Sequence, residues 1–418
     1  MTKKNLILIT ANYPFGKGEE FLETEINYLK ANFKNIIIIS ENDRHLRTRK
    51  IPSGIKVYRF SENMIQLEIF KCISLTFIKD FLMEIKDILF TYHLKLNIEI
   101  LRELLSMMVK GLSIKRYIDD IIQENKILNN NDELFLYTYW FNAATYAIIQ
   151  YKRQNESVKV FSRTHGYDLY FERNCLHYLP LRKQIIKKLD VLFFISDHGK
   201  EYFKKKLLLN TENKLKVSKL GIRNDLKVSK PSNDNILRII SCSFAVDVKR
   251  IDLIIKAIAQ IKNYDVYWTH IGDGPKLKEL KELANALLSN KSNISYEFLG
   301  YLENKEIYNY YTNRMIDVFI NVSASEGIPV SIMEACSFSI PIIATSVGGV
   351  SEIVNDNNGV LLSPNPSINE ITEAINKIKF SSQSDIQRYR ENAYQTWSKW
   401  YNADVNYNKF INSIFKLK

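Results

Sequence analysis

Apolar positions along this 418-residue chain recur in two rhythms. Short continuous apolar runs, as expected of strands buried on both faces, alternate with stretches where apolar residues return every three or four positions, the period of a helix. The chain opens with a strand at 5–10, a glycine-containing loop at 13–18, a helix from about Glu19 and a strand at 35–40, a βαβ start. Residues 65–123 read as one long helical region, rich in Leu, Ile and Phe with Lys between them. Strand–helix alternation resumes with strands at 134–137, 158–161 and 191–195. A polar segment, 224–235, contains Pro231 and little apolar material, and reads as a linker. Beyond it, strands near Leu237, Val266, Ile294, Val318, Ile342 and Val360 alternate with helices, and from Pro366 the chain reads helical nearly to its end. The pattern predicts an α/β protein with two Rossmann-like doubly wound domains facing a cleft.

Composition agrees with a globular chain of two cores: 46% hydrophobic and 25% charged residues. Charge changes the picture. The net +12 is uneven, with +13 over residues 1–230 (39 Lys and Arg against 26 Asp and Glu) and −1 over the remainder (19 against 20). Residues 151–230 alone carry +11 (19 against 8), which predicts an anionic partner at the first half: a lipid surface, a phosphorylated acceptor or a nucleic acid. No RNP or KH pattern supports RNA. The Lys-interleaved stretches 182–189 and 200–209 read as amphipathic basic helices, either solvated or resting on anionic lipid. Four dispersed cysteines, Cys72, Cys175, Cys242 and Cys336, form no C-x-x-C and read as reduced thiols of a cytosolic protein. Lys3 and Lys4 precede only a short apolar run, so no signal peptide is read, and no apolar run approaches the roughly 18–20 residues of a membrane span.

The most informative stretch is Ser325-Glu326-Gly327-Ile328-Pro329-Val330-Ser331-Ile332-Met333-Glu334-Ala335. A buried strand at 316–320 runs into a turn and then a short helix over 329–337, with Pro329 expected at its first position. Unpaired N–H groups at a helix start attract anions, and Gly327 allows close approach to the backbone. Continuous helix would hold the two carboxylates about 12 Å apart, beyond the roughly 5–9.5 Å of a hydrolytic pair. They suit different hydroxyl pairs of an extended anionic ligand, and a nucleotide sugar has that shape.

This segment resembles the E-x7-E motif of the family-4 retaining glycosyltransferases, which have the GT-B fold, in enzymes of bacterial surface-polysaccharide type. Residues 241–258 resemble that family's first strand, basic loop and helix; 270–275 its second strand and glycine turn; 298–301 its third strand end; and 341–354, with Gly348, Gly349 and Glu352, the segment after the motif. The resemblance covers about 120 residues. It implies that Glu334 holds the donor ribose diol, that Glu326 lies near the donor sugar hydroxyls, and that Lys249 neutralises the leaving diphosphate. The backbone of Gly327, Ile328, Pro329 and Val330, with Gly272 and Gly300, completes the implied donor site. The family's usual Gly-Arg is Ser243-Phe244 here, so one cation is missing; Arg250 either replaces it or is an exposed residue at the helix start. On the acceptor side the resemblance implies Gly16 and Gly18 of the first loop, and Arg163, His165 and Asp168 after the 158–161 strand, with His165 meeting the donor sugar. A plain βα turn and a structural histidine are the alternatives.

The expected organisation is an acceptor domain over 1–223, a donor domain over 236–396, and a helix at 397–418 returning to the first domain. The expected activity is transfer of a hexose from a nucleotide sugar to a lipid-linked or oligosaccharide acceptor in capsule, exopolysaccharide or lipopolysaccharide synthesis. No Asp-x-Asp or clustered histidines suggest a metal, and no cofactor or nucleic acid is expected. The expected location is cytoplasmic, peripheral at the inner face of the cytoplasmic membrane. The alternatives are a non-catalytic sugar- or nucleotide-binding partner subunit and a nucleotide-sugar epimerase of the same architecture.

Overall fold

The computed structural model describes residues 3–417 except Lys17, Asp43, 62–73, 128–131, 209–212 and Leu226. Cys72 and the first part of the expected long helical region lie outside the described residues. The chain divides into two units: Met1–Gly221 with Asn406–Lys418, and Ile222–Val405.

Unit 1 is built on a seven-stranded sheet, all of whose pairings are parallel. Its strands are β1 (Lys4–Thr10), β2 (Asn35–Ser40), β3 (Ile55–Arg59), β4 (Glu133–Thr138), β5 (Lys159–Thr164), β6 (Val191–Phe194) and β7 (Leu215–Val217), in the order β3-β2-β1-β4-β5-β6-β7. The apolar runs of β1, β2 and β4 are buried on both faces, as a parallel sheet covered by helices demands. Helix α1 (Leu22–Asn32) joins β1 to β2. The expected single helical region contains two helices, α2 (Leu75–Phe90) and α3 (Ile98–Asn125). The break has a local cause: Asn97 turns extended and its side-chain oxygen accepts from the Ile100 N–H, starting a fresh helix. Helices α4 (Ala143–Gln154), α5 (Arg182–Lys188) and α6 (Asp197–Leu207) complete the set.

Unit 2 carries six parallel strands in the order β10-β9-β8-β11-β12-β13: β8 (Leu237–Cys242), β9 (Val266–Ile271), β10 (Ile294–Gly300), β11 (Val318–Asn321), β12 (Ile342–Thr345) and β13 (Gly359–Leu362). Strand order reverses between β8 and β11, so loops leaving their carboxyl ends diverge to opposite faces and open a crevice. Helices α7 (Ile251–Ile258), α8 (Leu277–Leu288), α9 (Asn304–Asn313), α10 (Val330–Ser337), α11 (Ile368–Lys379) and α12 (Gln383–Trp400) follow.

Two expected boundaries move. Residues 224–235 are stitched into unit 2: the Ser232 N–H and hydroxyl donate to Asp317, and Arg390 donates to the carbonyls of Ser229 and Ile316. Trp397 lies inside α12, where its indole N–H donates to Ile222 O at 3.0 Å. The chain breaks at Tyr401 and restarts as α13 (Ala403–Ile414), whose start is held by Asn402 accepting from the Asp404 and Val405 N–H groups. Phe410, Ile411 and Ile414 of α13 join the unit 1 core beside Tyr137, Phe161 and Phe193.

Unit 1 also buries acids. Glu25 pairs with Arg163, both fully enclosed. Asp80 takes both guanidinium nitrogens of Arg153, at 2.6 and 2.8 Å, together with the Tyr146 hydroxyl and Gln150. Among the described side chains Glu84 accepts only from Tyr178, at 2.9 Å, and burial pushes its pKa up to about 7; nearby Asp87 adds to the rise and Arg182 opposes it. A carboxyl whose folded pKa is raised favours folding fully below its unfolded value, and that stability is lost as pH rises through the folded value. Glu84→Gln should therefore melt higher than the wild type at pH 8, by on the order of 3 kcal/mol at most, and the two melting curves should converge near pH 4. Equal melting differences at both pH values would show that folding does not raise the Glu84 pKa.

Candidate functional site

The unit 2 site forms where loops leave the carboxyl ends of β8, β9 and β11. After β8, a single 3-10 turn (Asp247–Lys249) leads into Arg250, whose backbone is left-handed at φ 48°. From there the guanidinium reaches back to the sheet end. Nε donates to Val322 O at 2.7 Å, and the terminal nitrogens to Ser323 O at 2.8 Å, Pro364 O at 2.9 Å and Asn365 Oδ1 at 3.2 Å. The Ala324 N–H donates to Val248 O at 2.7 Å, closing the same join. Arg250, expected as a second donor-binding cation, is thus turned onto backbone carbonyls. A planar fork with five donors suits this task.

Lys249 is left to the site. Its ammonium lies 2.6 Å from Glu326 Oε1, which Asn321 Nδ2 also approaches at 3.4 Å. Glu326 belongs to the loop after β11. Pro329 caps α10 from outside, with ψ 113°, so the helix begins at Val330 and not at the proline. Glu334 sits in the second turn of α10, buried, its Oε1 accepting from Asn304 Nδ2 at 2.5 Å and from the Tyr308 hydroxyl at 3.3 Å. Cys242, at the end of β8, has its thiol pKa pushed well up by burial, reinforced by the Glu334 carboxylate and opposed by Lys249. Lys249 and both glutamates therefore gather at one end of the sheet. Glu326 precedes the helix, as the strand–turn–helix reading of this segment expected, so the two carboxylates are not joined by continuous helix.

Glycines set the closeness of these loops. Gly348 is left-handed at φ 55°, and a Cβ there would lie 1.9 Å from Glu326 O. The next N–H, of Gly349, donates to Gly327 O at 2.8 Å. Gly272 likewise accommodates Ser243 O, which a Cβ would meet at 1.8 Å, and its N–H donates to Gly300 O at 2.8 Å. Gly272 and Gly300 thus brace each other beside the β8 loop. His270 below them is buried, its Nδ1 2.9 Å from Ser241 Oγ, and burial pushes its pKa down to about 4. Phe244, in the position of the missing arginine, is 59% exposed.

Unit 1 holds the other candidates. His165 follows β5 with its ring 4.5 Å from those of Tyr139 and Trp140. Neither ring nitrogen has a hydrogen-bond partner among the described residues, and burial, with the Arg163 charge adding, holds the imidazole neutral well below its usual pKa. Asp168 closes this loop, accepting from the N–H groups of His165 at 2.8 Å and Phe141 at 2.9 Å. Arg163, expected on the acceptor side, is turned into the core: its guanidinium lies fully buried on the Phe410 ring, paired with Glu25. It does not meet a ligand from solvent.

Gly16 and Gly18 both adopt positive φ, at 63° and 89°. The residue that organises their loop was not anticipated. Glu19 accepts from the N–H groups of Ala11, Asn12 and Tyr13 at 2.8, 2.7 and 2.5 Å, and from Trp140 Nε1 at 2.5 Å. Trp140 in turn packs on His165. No local signal marks Glu19, because its main side-chain partner lies 121 residues away. The expected basic patch is partly internal: Arg153, Arg163 and Lys183 pair with Asp80, Glu25 and Asp87, acids from earlier in the chain.

Comparison with known proteins agrees with this geometry. Residues 222–396 match the family described as Glycosyl transferases group 1. The O-antigen biosynthesis glycosyltransferase WbnH of Escherichia coli is 31% identical over 152 residues, which is 36% of this chain and 39% of that protein. The chain thus matches less than half the length of that relative. Two solved structures share the fold over nearly the whole chain. The lipopolysaccharide outer core galactosyltransferase WaaB has a TM-score of 0.66 at 15% identity, covering 99% of each chain. HepE of Anabaena, in complex with UDP, has a TM-score of 0.67 at 15% identity, covering 99% of this chain and 100% of its own. The fold is GT-B, with two parallel-sheet Rossmann-like domains.

The backbone approach at Gly348 yields a prediction. Gly348→Ala must push Glu326 O aside in a conformation that alanine disfavours. A loss of about 2 kcal/mol or more is expected in urea unfolding, whereas Gly300→Ala, with open space at its Cβ position, should lose less. Equal losses would show that the contact at Glu326 does not set the cost.

Proposed function

We propose that this protein is a retaining, metal-independent hexosyltransferase of glycosyltransferase family 4. It moves a hexose from a nucleotide sugar to a lipid-linked or oligosaccharide acceptor in capsule, exopolysaccharide or lipopolysaccharide synthesis. One observation carries the reading: Lys249 pairs with Glu326 beside the switch point of the unit 2 sheet, with Glu334 buried on the helix that follows, all within the stretch matching Glycosyl transferases group 1. The O-antigen role of WbnH supports the polysaccharide class, and UDP in HepE supports a nucleotide donor.

In this reading unit 2 holds the donor and unit 1 the acceptor. Glu334, oriented by Asn304 and Tyr308, accepts from the ribose diol. The N–H groups of Gly327, Ile328 and Val330 bind the sugar or diphosphate, while Pro329, lacking one, shapes the turn. Glu326 meets sugar hydroxyls. Lys249 neutralises charge gathering on the diphosphate as the bond from the anomeric carbon to phosphate oxygen breaks. The acceptor hydroxyl adds to that carbon from the same face and gives its proton to the leaving phosphate oxygen. His165 of unit 1, neutral and able to donate or accept, is the residue that the family resemblance assigns to the donor sugar, and the Gly16–Gly18 loop and Asp168 are those it assigns to the acceptor. A second reading, a non-catalytic nucleotide-sugar-binding subunit, is favoured by exposed Phe244 in place of the family's arginine and by the engagement of Arg250 with backbone.

Turnover decides between them. With an acceptor extract, mass spectrometry should detect nucleoside diphosphate release, unchanged by EDTA. Glu334→Ala should lose donor affinity at least tenfold, since hydrogen bonds to a charged acceptor are worth about 1.5–3 kcal/mol each. Lys249→Ala should cut turnover about 10²-fold. Donor binding without release under any acceptor condition would establish the non-catalytic reading, and wild-type donor affinity in Glu334→Ala would remove that residue from the site.

A further inference from the structure

Helix α2 turns all three of its acids inward and leaves a stripe of apolar residues and lysines outward. Asp80, Glu84 and Asp87 turn toward the body of unit 1, where they meet Arg153, Tyr178 and Lys183. Phe77, Phe81 and Ile85 pack beside them on the core. The opposite side carries Leu75, Ile78, Leu82, Leu89 and Phe90, of which Leu75, Leu82 and Phe90 are 88%, 62% and 70% exposed. Lys79 and Lys86 lie exposed among them. With 3.6 residues per turn, these seven positions fall within an arc of roughly 120°. All three acids of the helix lie outside that arc. The connection to α3 continues the surface with exposed Lys95, Leu96 and Ile98.

A single exposed leucine needs no explanation, but a continuous stripe marks a surface for a partner. Charge decides which partner. Against a second copy, lysines of one stripe would face lysines of the other, and the helix's own acids are engaged behind it. An anionic bilayer satisfies both chemistries at once: leucine and phenylalanine side chains enter the acyl boundary while the ammonium groups stay at the lipid phosphates. We propose that the outer face of α2 is where this protein docks on an anionic lipid surface. Helix α6 is the poorer candidate, because Phe203 and Leu207 are buried, Lys204 pairs with Glu201 and Lys206 with Glu172. The inference concerns unit 1 alone and does not rest on transferase activity.

Sedimentation of the full chain with vesicles tests it. Vesicles of phosphatidylglycerol and phosphatidylcholine should bind the protein at low salt at least tenfold more tightly than phosphatidylcholine alone. The paired changes Ile78→Asp with Leu82→Asp, and Lys79→Glu with Lys86→Glu, should each weaken binding tenfold or more. The triple change of Lys204, Lys205 and Lys206 to Glu should weaken it less than either pair. Far-UV circular dichroism and nucleotide binding report whether the variants fold. If the aspartate pair fails to fold, Leu82→Trp gives a direct readout: its added emission should shift to the blue with anionic vesicles and be quenched by brominated lipid. Wild-type indifference to anionic vesicles overturns the proposal, as does wild-type binding in both α2 pairs or an unshifted tryptophan. A dimer in light scattering that Leu82→Asp dissociates, without vesicle binding, assigns the face to a second copy instead.

Discussion

The unit 2 site depends on where one guanidinium is spent. Parallel strands end with carbonyl groups pointing past the sheet, and loops leaving neighbouring strands have no ladder to hold them together. Arg250 supplies that hold. Its left-handed backbone reverses the side chain onto Val322, Ser323 and Pro364, tying the loop after β8 to those after β11 and β13. A lysine at this position has one donor atom and cannot span three carbonyls. The tie fixes the register of the preceding residue, and Lys249 is thereby delivered to Glu326. Two adjacent cations in the sequence carry out different work, one holding loops and the other presenting charge.

The two glutamates differ in the same way. Glu326 sits on a loop, paired to Lys249, the cation that the proposed function assigns to the diphosphate. Glu334 is buried and held by Asn304 and Tyr308, so its carboxylate is oriented before any ligand arrives. Preorganised acceptors lose little entropy on binding. The tight glycine contacts at Gly348 and Gly272 serve that preorganisation, since they bring the loop backbones together without intervening side chains.

Much of this was legible in the sequence because burial writes itself as continuous apolar runs. All six unit 2 strands could be read that way, and so could the turn between Glu326 and Glu334. Strands β3 and β7 were not, since edge strands are short and half-exposed, and Ile55–Arg59 alternates too weakly to stand out. The break before α3 rested on one residue, Asn97, whose capping oxygen outweighed an otherwise helical pattern. Arg163 misled for a different reason. It neighbours His165 in sequence, but its guanidinium is taken up inside the core by a glutamate 138 residues away. The charge excess over 151–230 is partly internal for a related reason, because several of its partners lie outside that window. Long-range polar pairing leaves no periodic trace.

That blind spot bears on α2. A helix ordinarily attaches by its apolar side, and burying ion pairs instead gives little stability over an apolar contact, because desolvation offsets the Coulombic gain. Helix α2 attaches by Phe77, Phe81, Ile85 and Ile88, and the burial of Asp80, Glu84 and Asp87 among them is not what stability alone would select. It has a second consequence that stability does not measure: every acid of the helix is withdrawn from its outer face, leaving leucines, a phenylalanine and lysines there. Turned the other way, the same helix would bury its leucines but show to solvent both its acids and Phe77, Phe81, Ile85 and Ile88. The observed orientation retains the face suited to anionic lipid, and the inward acids are what make that orientation affordable.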